Sequence, residues 1–315
     1  MAEKIATREA YGNALAEFGE IYGDLVVLDA DVSSATKTAT FGKKFPERFI
    51  NCGIAEGNMM SVAAGIAASG KIPFASSFAM FAAGRAFEPI RNSIGYPHLN
   101  VKIGATHGGI TVGEDGATHQ CCEDMGIMRT IPGMTIINPA DAVEARAAVE
   151  AAILYKGPVY LRFGRLAVPV IFDRETYKFE MGKGMQISEG KDAAIIATGL
   201  MVSEAIKARA MLAEEKIDAG VINIHTIKPI DKDIIIKAAK TGAIVTAEEH
   251  NIIGGLGSAV AEVLAENAPC PMGRIGIKDE FGRSGKAEEL MKIFGITAAD
   301  IAMKVKEILV MKGKI

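Results

Sequence analysis

Apolar residues along this chain keep two alternating rhythms. Short continuous apolar blocks, as in buried strands, alternate with longer stretches in which apolar residues return at helical spacing. Ile5 to Ile21 reads as a helix, because Ala6, Ala10, Leu15, Phe18 and Ile21 fall roughly on one face. "DLVVLDAD" reads as a buried strand that ends in acids. "RFINCGIAEGNMMSVAAGIAASG" reads as strand, turn and helix, the helix running from about Gly57 to Ser69 and closed by Gly70. A short strand "IPFAS" precedes "FAMFAAGRAFEPIRNSIG", which has helical period with Pro89 as a kink or a new start. "NVKIGAT" is a strand leading into a glycine-rich loop. "EDMGIMRTI" then reads as helix, "MTIINPA" as strand, "DAVEARAAVEAAILY" as a helix capped by Asp141, and "PVYLRF" as strand.

This alternation predicts α/β architecture, a mostly parallel sheet with helices on both faces. The pattern fades from about residue 164 to 190 and restarts at Asp192. There "AAIIATG", "AGVINIHTI", "AIVTAEEH" and "GRIGIKD" read as strands separated by helices. Two consecutive α/β domains are therefore expected, at 1–170 and 191–315, joined by a linker at 171–190.

Composition narrows the class. Of 315 residues, 49% are hydrophobic and 23% charged, which is the balance of a globular protein with a substantial core. A net charge of −3 gives no electrostatic case for a nucleic-acid partner. Cys52, Cys121, Cys122 and Cys270 form no C-x-x-C pair, which argues against zinc-finger and thioredoxin-like sites. Cysteine usage of this kind suits a reducing cytoplasm. "MAEKIATREAYG" has no apolar signal core, and no apolar run is long enough to span a membrane, so a soluble cytoplasmic protein is expected.

In open α/β sheets, ligands bind beyond the carboxyl ends of the strands. Asp31, Glu56, Ser77 to Phe81, His107 to His119 and Arg165 all follow predicted strands, so they are expected to converge on one rim. Glu56 opens a helix, where the helix dipole alone favours a carboxylate. Acid chemistry would also need it desolvated, which Ile54, Ala55, Met59 and Met60 permit. Phe78 and Phe81, three apart, would share a helix face and either fill core or flank a flat ring. "VGEDGATHQCCED" offers a metal site, a redox pair, an acidic turn or an active-site wall. The spacing of His107 and His119 fits no zinc motif, and Cys121–Cys122 read as small packing residues at a helix start. Asp115 and His119 could move protons on a polyol or carbonyl substrate; a merely solvated loop histidine has the same signature. "GGLGSAV" lacks the full G-x-G-x-x-G spacing and reads as a helix-packing turn.

Taken together, "NCGIAEGNMMSVAAGIAASGKIPFASSFAMF", "ATHGGITVGEDGATHQ" and "PVYLRFGR" resemble the pyrimidine-binding domain of transketolase, and the part from Asp192 resembles that family's C-terminal domain. The resemblance runs in order over nearly the whole chain, and "GEDGATHQ" is its most specific part. It implies a thiamine-diphosphate-binding fold followed by a transketolase C-terminal-like domain. It also implies a transferase of the pentose phosphate pathway that moves a two-carbon ketol unit between sugar phosphates. The family requires thiamine diphosphate with a divalent metal, Mg2+ or Ca2+, held by a GDG motif and a downstream Asn on a separate N-terminal domain. This chain contains no GDG, so the resemblance implies one subunit of a split enzyme. An N-terminal partner subunit would carry that motif. The chain alone would form a homodimer, and the pair a two-plus-two heterotetramer.

The same resemblance assigns roles. Glu56 would hydrogen-bond the aminopyrimidine ring nitrogen and favour the tautomer that deprotonates the thiazolium. Phe78 and Phe81 would stack on the pyrimidine, and Asp31 would lie near it. His107, Asp115 and His119 would contact sugar hydroxyls and help proton transfer, with Glu114 bracing their loop. Arg8 and Arg165 would hold the sugar phosphate, a task that suits guanidinium geometry. Three departures stand out: Gly84 replaces a frequent aromatic residue, "THGG" replaces Thr-His-Asp-Ser, and "VSSATKT" after Asp31 differs from the usual pattern. Deoxyxylulose-phosphate synthase shares the architecture and an early arginine, here Arg162, but usually lacks a histidine matching His107 and the Glu before Asp115. A 2-oxoacid dehydrogenase beta subunit would differ in "GEDGATHQ". A non-catalytic assembly module would have no need of Glu56, His107, Asp115, His119 and Arg165 together.

Overall fold

A computed structural model of the chain describes residues 3–313. Its strands form a seven-stranded, a five-stranded and a two-stranded sheet. The seven-stranded sheet runs Thr226–Lys228, Thr135–Ile137, Val159–Arg162, Lys102–Thr106, Ile72–Phe78, Leu25–Asp29, Phe49–Asn51. Every pairing in it is parallel except the first. The central strands Lys102–Thr106 and Val159–Arg162 are buried throughout, as strands covered by helices on both faces must be. The five-stranded sheet runs Met272–Ile277, Ile244–Asn251, Ala193–Ala197, Ala219–Asn223, Met185–Ser188, parallel but for the last. The expected architecture of mostly parallel sheets flanked by helices is thus the observed one.

Local chemistry accounts for the helix boundaries. Asp141 caps helix Ala142–Leu154 by accepting from Glu144 N at 2.8 Å. Helix Ala298–Met311 opens on a capping box between Thr297 and Asp300. Glu56 is the first residue of helix Glu56–Ala68.

Two registers position the functional rim. In the main sheet Phe78 pairs with Thr106, so the two strands end side by side and deliver Phe78 and His107 to one place. In the two-stranded sheet Lys4–Ala6 runs antiparallel to Ala167–Pro169, with Ala6 opposite Ala167. Two residues beyond that pair, on the same side, come Arg8 and Arg165. Gly164 N donating to Thr7 Oγ1 at 2.8 Å holds the junction.

The structure departs from the sequence pattern in several places. Ile5 and Ala6, read as the start of a helix, lie in strand Lys4–Ala6, and the helix begins at Thr7. "AGVINIHTI" is not one strand: Ala219–Asn223 stays in the second sheet, while Thr226–Lys228 crosses over and closes the edge of the first. Asn138 N donating to the His225 carbonyl fixes the crossing. The stretch read as a linker contains strand Met185–Ser188, and before it Ile171 N and Phe172 N donate to the Asp141 carboxylate. Those backbone groups are satisfied by the neighbouring domains rather than by water alone. The helix expected from Phe78 onward is instead strand to Phe78, followed by wide π-helical turns at Met80–Arg85 and Ile90–Gly95. The helix expected at Cys121–Cys122 starts at Asp124, because Cys121 is drawn back into a β-bridge with Gly108. Both cysteines are buried, as packing residues should be. Among the described residues, no helix is long and apolar enough to cross a membrane.

Candidate active site

His107 leaves strand Lys102–Thr106 at φ 58°, a left-handed conformation that turns its ring over the strand end. The imidazole stacks on Phe78 with centroids 3.8 Å apart and planes 19° apart. Its Nε2 lies 3.1 Å from Arg8 Nη1 and its Nδ1 lies 2.8 Å from Thr106 Oγ1. A guanidinium can only donate, so Nε2 accepts and Nδ1 carries the proton, donating to the Thr106 hydroxyl. Burial, reinforced by Arg8, Arg165 and His119, pushes the His107 pKa down to about 3. The ring is therefore neutral at any physiological pH.

Glu56 is 2% exposed and sits at the other end of the same rim. Its Oε2 accepts from Arg85 Nη1 at 3.0 Å, and Ser77 Oγ donates to Oε1 at a long 3.4 Å. The Arg85 guanidinium lies 4.9 Å from the Phe81 ring centroid. Phe81 is offset-stacked on Phe78 at 5.9 Å, and His119 meets both rings edge-on, at 5.3 and 6.2 Å. One chain of contacts thus runs from Glu56 through Arg85, Phe81, Phe78 and His107 to Arg8.

The other end of the rim carries two arginines, Arg8 and Arg165. Arg8 Nη1 also donates to the Ala35 carbonyl at 2.7 Å, and burial, then the nearby Arg165, lowers its pKa. Arg165 Nη1 donates to the Val112 carbonyl and approaches Glu114 at 3.4 Å and Asp115 at 3.9 Å. The Asp115 side chain, 39% exposed, remains open to solvent beside the two guanidiniums. His119 Nδ1 pairs with Thr118 Oγ1 at 2.9 Å.

Asp31 stands apart from this set. Its carboxylate accepts from Asn51 Nδ2 at 2.8 Å on the exposed surface, and its φ of 64° is one that non-glycine residues rarely take. The buried carboxylate of that strand is Asp29. It accepts from Val32 N and the Thr36 and Thr38 hydroxyls at 2.7 to 2.8 Å and so shapes the turn.

Sequence reasoning passed over two contributors. Arg85 follows the departure at Gly84 in "FAAGR"; a lone cation in an apolar stretch was its only signal. Thr106 looked like an ordinary strand residue but accepts the Nδ1 proton of His107 in the tautomer that Arg8 sets. In "GGLGSAV", Leu256 N and Gly257 N donate to the Glu248 carboxylate at 2.7 and 2.8 Å. Those donors are occupied from within, in keeping with a packing turn. Among the described residues, no group of three His, Cys, Asp or Glu is arranged to hold a metal ion.

Residues 3–170 match the transketolase pyrimidine-binding domain, and residues 182–301 match the transketolase C-terminal domain. The chain belongs to the transketolase family. It is 53% identical over 302 residues to a Methanocaldococcus jannaschii protein provisionally named a transketolase C-terminal section, covering 95% of each chain. It is 44% identical over 302 residues to the 6-deoxy-6-sulfo-D-fructose transketolase subunit SqwH of Clostridium sp. strain MSTE9, covering 96% of this chain and 94% of that one. A solved split-gene transketolase, an inactive β4 tetramer, superimposes with a TM-score of 0.91 at 52% identity over 98% of this chain and 99% of that chain. Transketolases use thiamine diphosphate with a divalent metal. Glu56 suits the pyrimidine end of that cofactor, because a desolvated carboxylate with one weakly engaged oxygen lies beside stacked phenylalanines.

Proposed function

We propose that this chain is the C-terminal subunit of a two-chain transketolase that transfers a two-carbon ketol unit from a ketose phosphate to an aldose phosphate. Residues 1–170 form its pyrimidine-binding domain and 191–315 its C-terminal domain, with 171–190 between them. An N-terminal partner subunit carries the GDG motif and the downstream Asn, and holds the diphosphate with Mg2+ or Ca2+. The β4 tetramer of the split-gene relative supports self-association of the chain alone. A two-plus-two heterotetramer is the working form, in the cytoplasm.

The observation that carries this reading is the unbroken line of contacts from the buried Glu56 to the Arg8–Arg165 pair. It provides one end suited to a heteroaromatic ring and another suited to an anion. Thiamine diphosphate, when bound, supplies the electron sink for the transferred carbon unit. Glu56 holds a proton at the pyrimidine ring nitrogen, and Phe78 and Phe81 give that ring an apolar wall. His107, neutral and tied through Nδ1 to Thr106, accepts from a sugar hydroxyl at Nε2 once Arg8 turns from it to the phosphate. His119 exchanges a proton with a substrate hydroxyl, and Asp115 accepts a hydrogen bond from another. Arg8 and Arg165 clamp the terminal phosphate. The kinship with a sulfo-sugar transketolase subunit favours one second reading, in which the same clamp takes a sulfonate.

Calorimetry tests the division of labour. Thiamine diphosphate with Mg2+ should bind the mixed subunits, with a native mass of two copies of each, and bind neither chain alone with comparable affinity. Equal affinity for the isolated chain, or a mixed complex of one copy each, would contradict the reading.

A further inference from the structure

The loop from His107 to Cys122 carries His107, Asp115 and His119, and it is not held by its own domain alone. Within the first domain, Gly109 N donates to the Cys121 carbonyl at 2.8 Å, closing the loop on itself. Gln120 Nε2 spans its interior to the Ile110 and Gly113 carbonyls. Arg165 and Arg162 of the same domain add bonds to the Val112 and Cys121 carbonyls, and further anchors come from the C-terminal half. Glu249 Oε1 accepts from Thr111 N at 2.6 Å, Asn251 N donates to the Cys122 carbonyl at 2.6 Å, and the Arg283 carbonyl accepts from Gln120. The approach of Glu249 is close enough to dictate the sequence opposite. A Cβ on Gly109, whose φ is +90°, would lie 2.3 Å from the carboxylate.

We infer that Glu249 is a positioning residue, whose carboxylate, reaching in from the C-terminal domain, sets the substrate loop so that Asp115 and His119 face the sugar. This rests on the proposed substrate role of that loop. A carboxylate fits the task because a backbone N–H donating to an ionised acceptor makes a stronger bond than one donating to a neutral acceptor. Arg162 completes the clamp. Its Nη2 donates to the Glu249 and Cys121 carbonyls at 2.9 and 3.1 Å, and its Nε to the Asp124 carboxylate at 2.9 Å. The charged groups facing Glu249 are therefore Arg162 and, behind it, Asp124; the Cys122 thiol is a further titratable neighbour. Glu248 turns away to the start of helix Leu256–Asn267.

Burial raises the Glu249 pKa to about 7, against the opposing pull of Arg162 and the Thr111 N–H. Although the ionised form makes the stronger bond to Thr111 N, the raised pKa means that the closed site favours the protonated carboxyl, so the hold on the loop weakens as pH rises through neutrality. The C-terminal domain then acts as a support whose grip depends on pH.

The test uses the chain reconstituted with a GDG-bearing partner, thiamine diphosphate and Mg2+, with Glu249→Ala and Glu249→Gln. For Glu249→Ala we expect the sugar-phosphate KM to rise about tenfold, the low end for a lost charge-assisted hydrogen bond, with kcat and thiamine-diphosphate affinity much less affected. Glu249→Gln keeps an acceptor for Thr111 and lacks the titration, so the neutral limb of its kcat/KM profile should flatten. Amide exchange of residues 108–122, read on the same proteins without substrate, should accelerate in Glu249→Ala. Unchanged loop exchange in Glu249→Ala, or an unaltered pH profile in Glu249→Gln, would overturn the inference. Accelerated exchange with unaltered KM would instead overturn the substrate role of the loop and leave the anchoring by Glu249 standing.

Discussion

Glu56 and Glu144 are both buried carboxylates in the first turn of a helix, and their surroundings could hardly differ more. Glu144 accepts from Ala140 N at 2.6 Å, from Asn223 Nδ2 at 2.7 Å and from the Tyr177 hydroxyl. Every strong acceptor direction is taken by groups of the fold, across three separate segments. Glu56 has one firm partner, the half-exposed Arg85, and one long contact from Ser77. A buried carboxylate saturated by its own chain is a structural joint. One left partly unsatisfied beside stacked aromatic rings is set up for a ligand. Burial alone would have ranked the two as equals.

The largest effects should come from exchanging those roles by mutation. Glu56→Ala should lower turnover of the reconstituted enzyme on the order of a thousandfold, within the range for a lost acid–base group, and leave the urea midpoint of the chain nearly unchanged. Glu144→Ala should do the reverse. Two buried donors and the half-buried Tyr177 hydroxyl lose their acceptor, unfolding free energy drops by about 3 kcal/mol, and the folded fraction keeps its turnover. A variant pair that lost both properties together would erase the distinction. Next come the arginines. Arg8→Ala and Arg165→Ala should each raise the KM for a sugar phosphate by about tenfold to a hundredfold and leave the KM for the unphosphorylated sugar little changed. Equal penalties on both sugars would remove the anion clamp from the account. Arg85→Gln should have a smaller effect, roughly threefold tighter thiamine-diphosphate binding, since a half-exposed ion pair competes only weakly for Glu56.

Smallest and broadest is the dependence of stability on pH. Burial lowers His107 to about 3 and His225 and His250 to about 4, against an ordinary 6.5. The unfolded chain binds more protons over that interval, so these rings contribute stability above pH 6.5 that is lost as pH falls through 4 and 3. Burial raises Glu144, Glu248 and Glu249 to about 7 from 4.5, so their contribution is present below 4.5 and lost as pH rises through 7. The two sets oppose each other between those ordinary values. The urea midpoint should therefore be nearly flat from about pH 4.5 to 6.5 and decline on the acid side. A steep monotonic slope across that window would contradict the assigned directions.

The rim itself was legible in the sequence because each of its residues follows an apolar block, and strand ends in α/β sheets share one edge. Glu56 at a helix start and Arg165 after a strand needed only local pattern, whereas Arg8, inside a stretch that reads as helix, enters only through the family resemblance. The Phe78–Phe81 pair was found for the wrong geometric reason. Their stacking comes from a strand end and a π-helical turn, and spacing cannot tell that from a helix face. What stayed hidden was non-local. Periodicity describes a segment but not the sheet it joins, so the crossing of Thr226–Lys228 and the edge strand Met185–Ser188 were invisible. Glu249 was hidden for the same reason: its contact with Thr111 spans 138 positions, and the sequence shows only one acid among several in "AEEH".

On the proposed function, Glu56 serves the cofactor of a two-chain ketol transferase. The most direct test of that role is transfer from a ketose phosphate to an aldose phosphate by this chain mixed with a GDG-bearing subunit, thiamine diphosphate and Mg2+, comparing the unaltered chain with Glu56→Gln. The account predicts transfer by the unaltered pair, none by either chain alone, and near-complete loss in a Glu56→Gln complex of unaltered mass and stability. Undiminished transfer by that complex, or none by an assembled unaltered pair with any ketose phosphate donor, would contradict it.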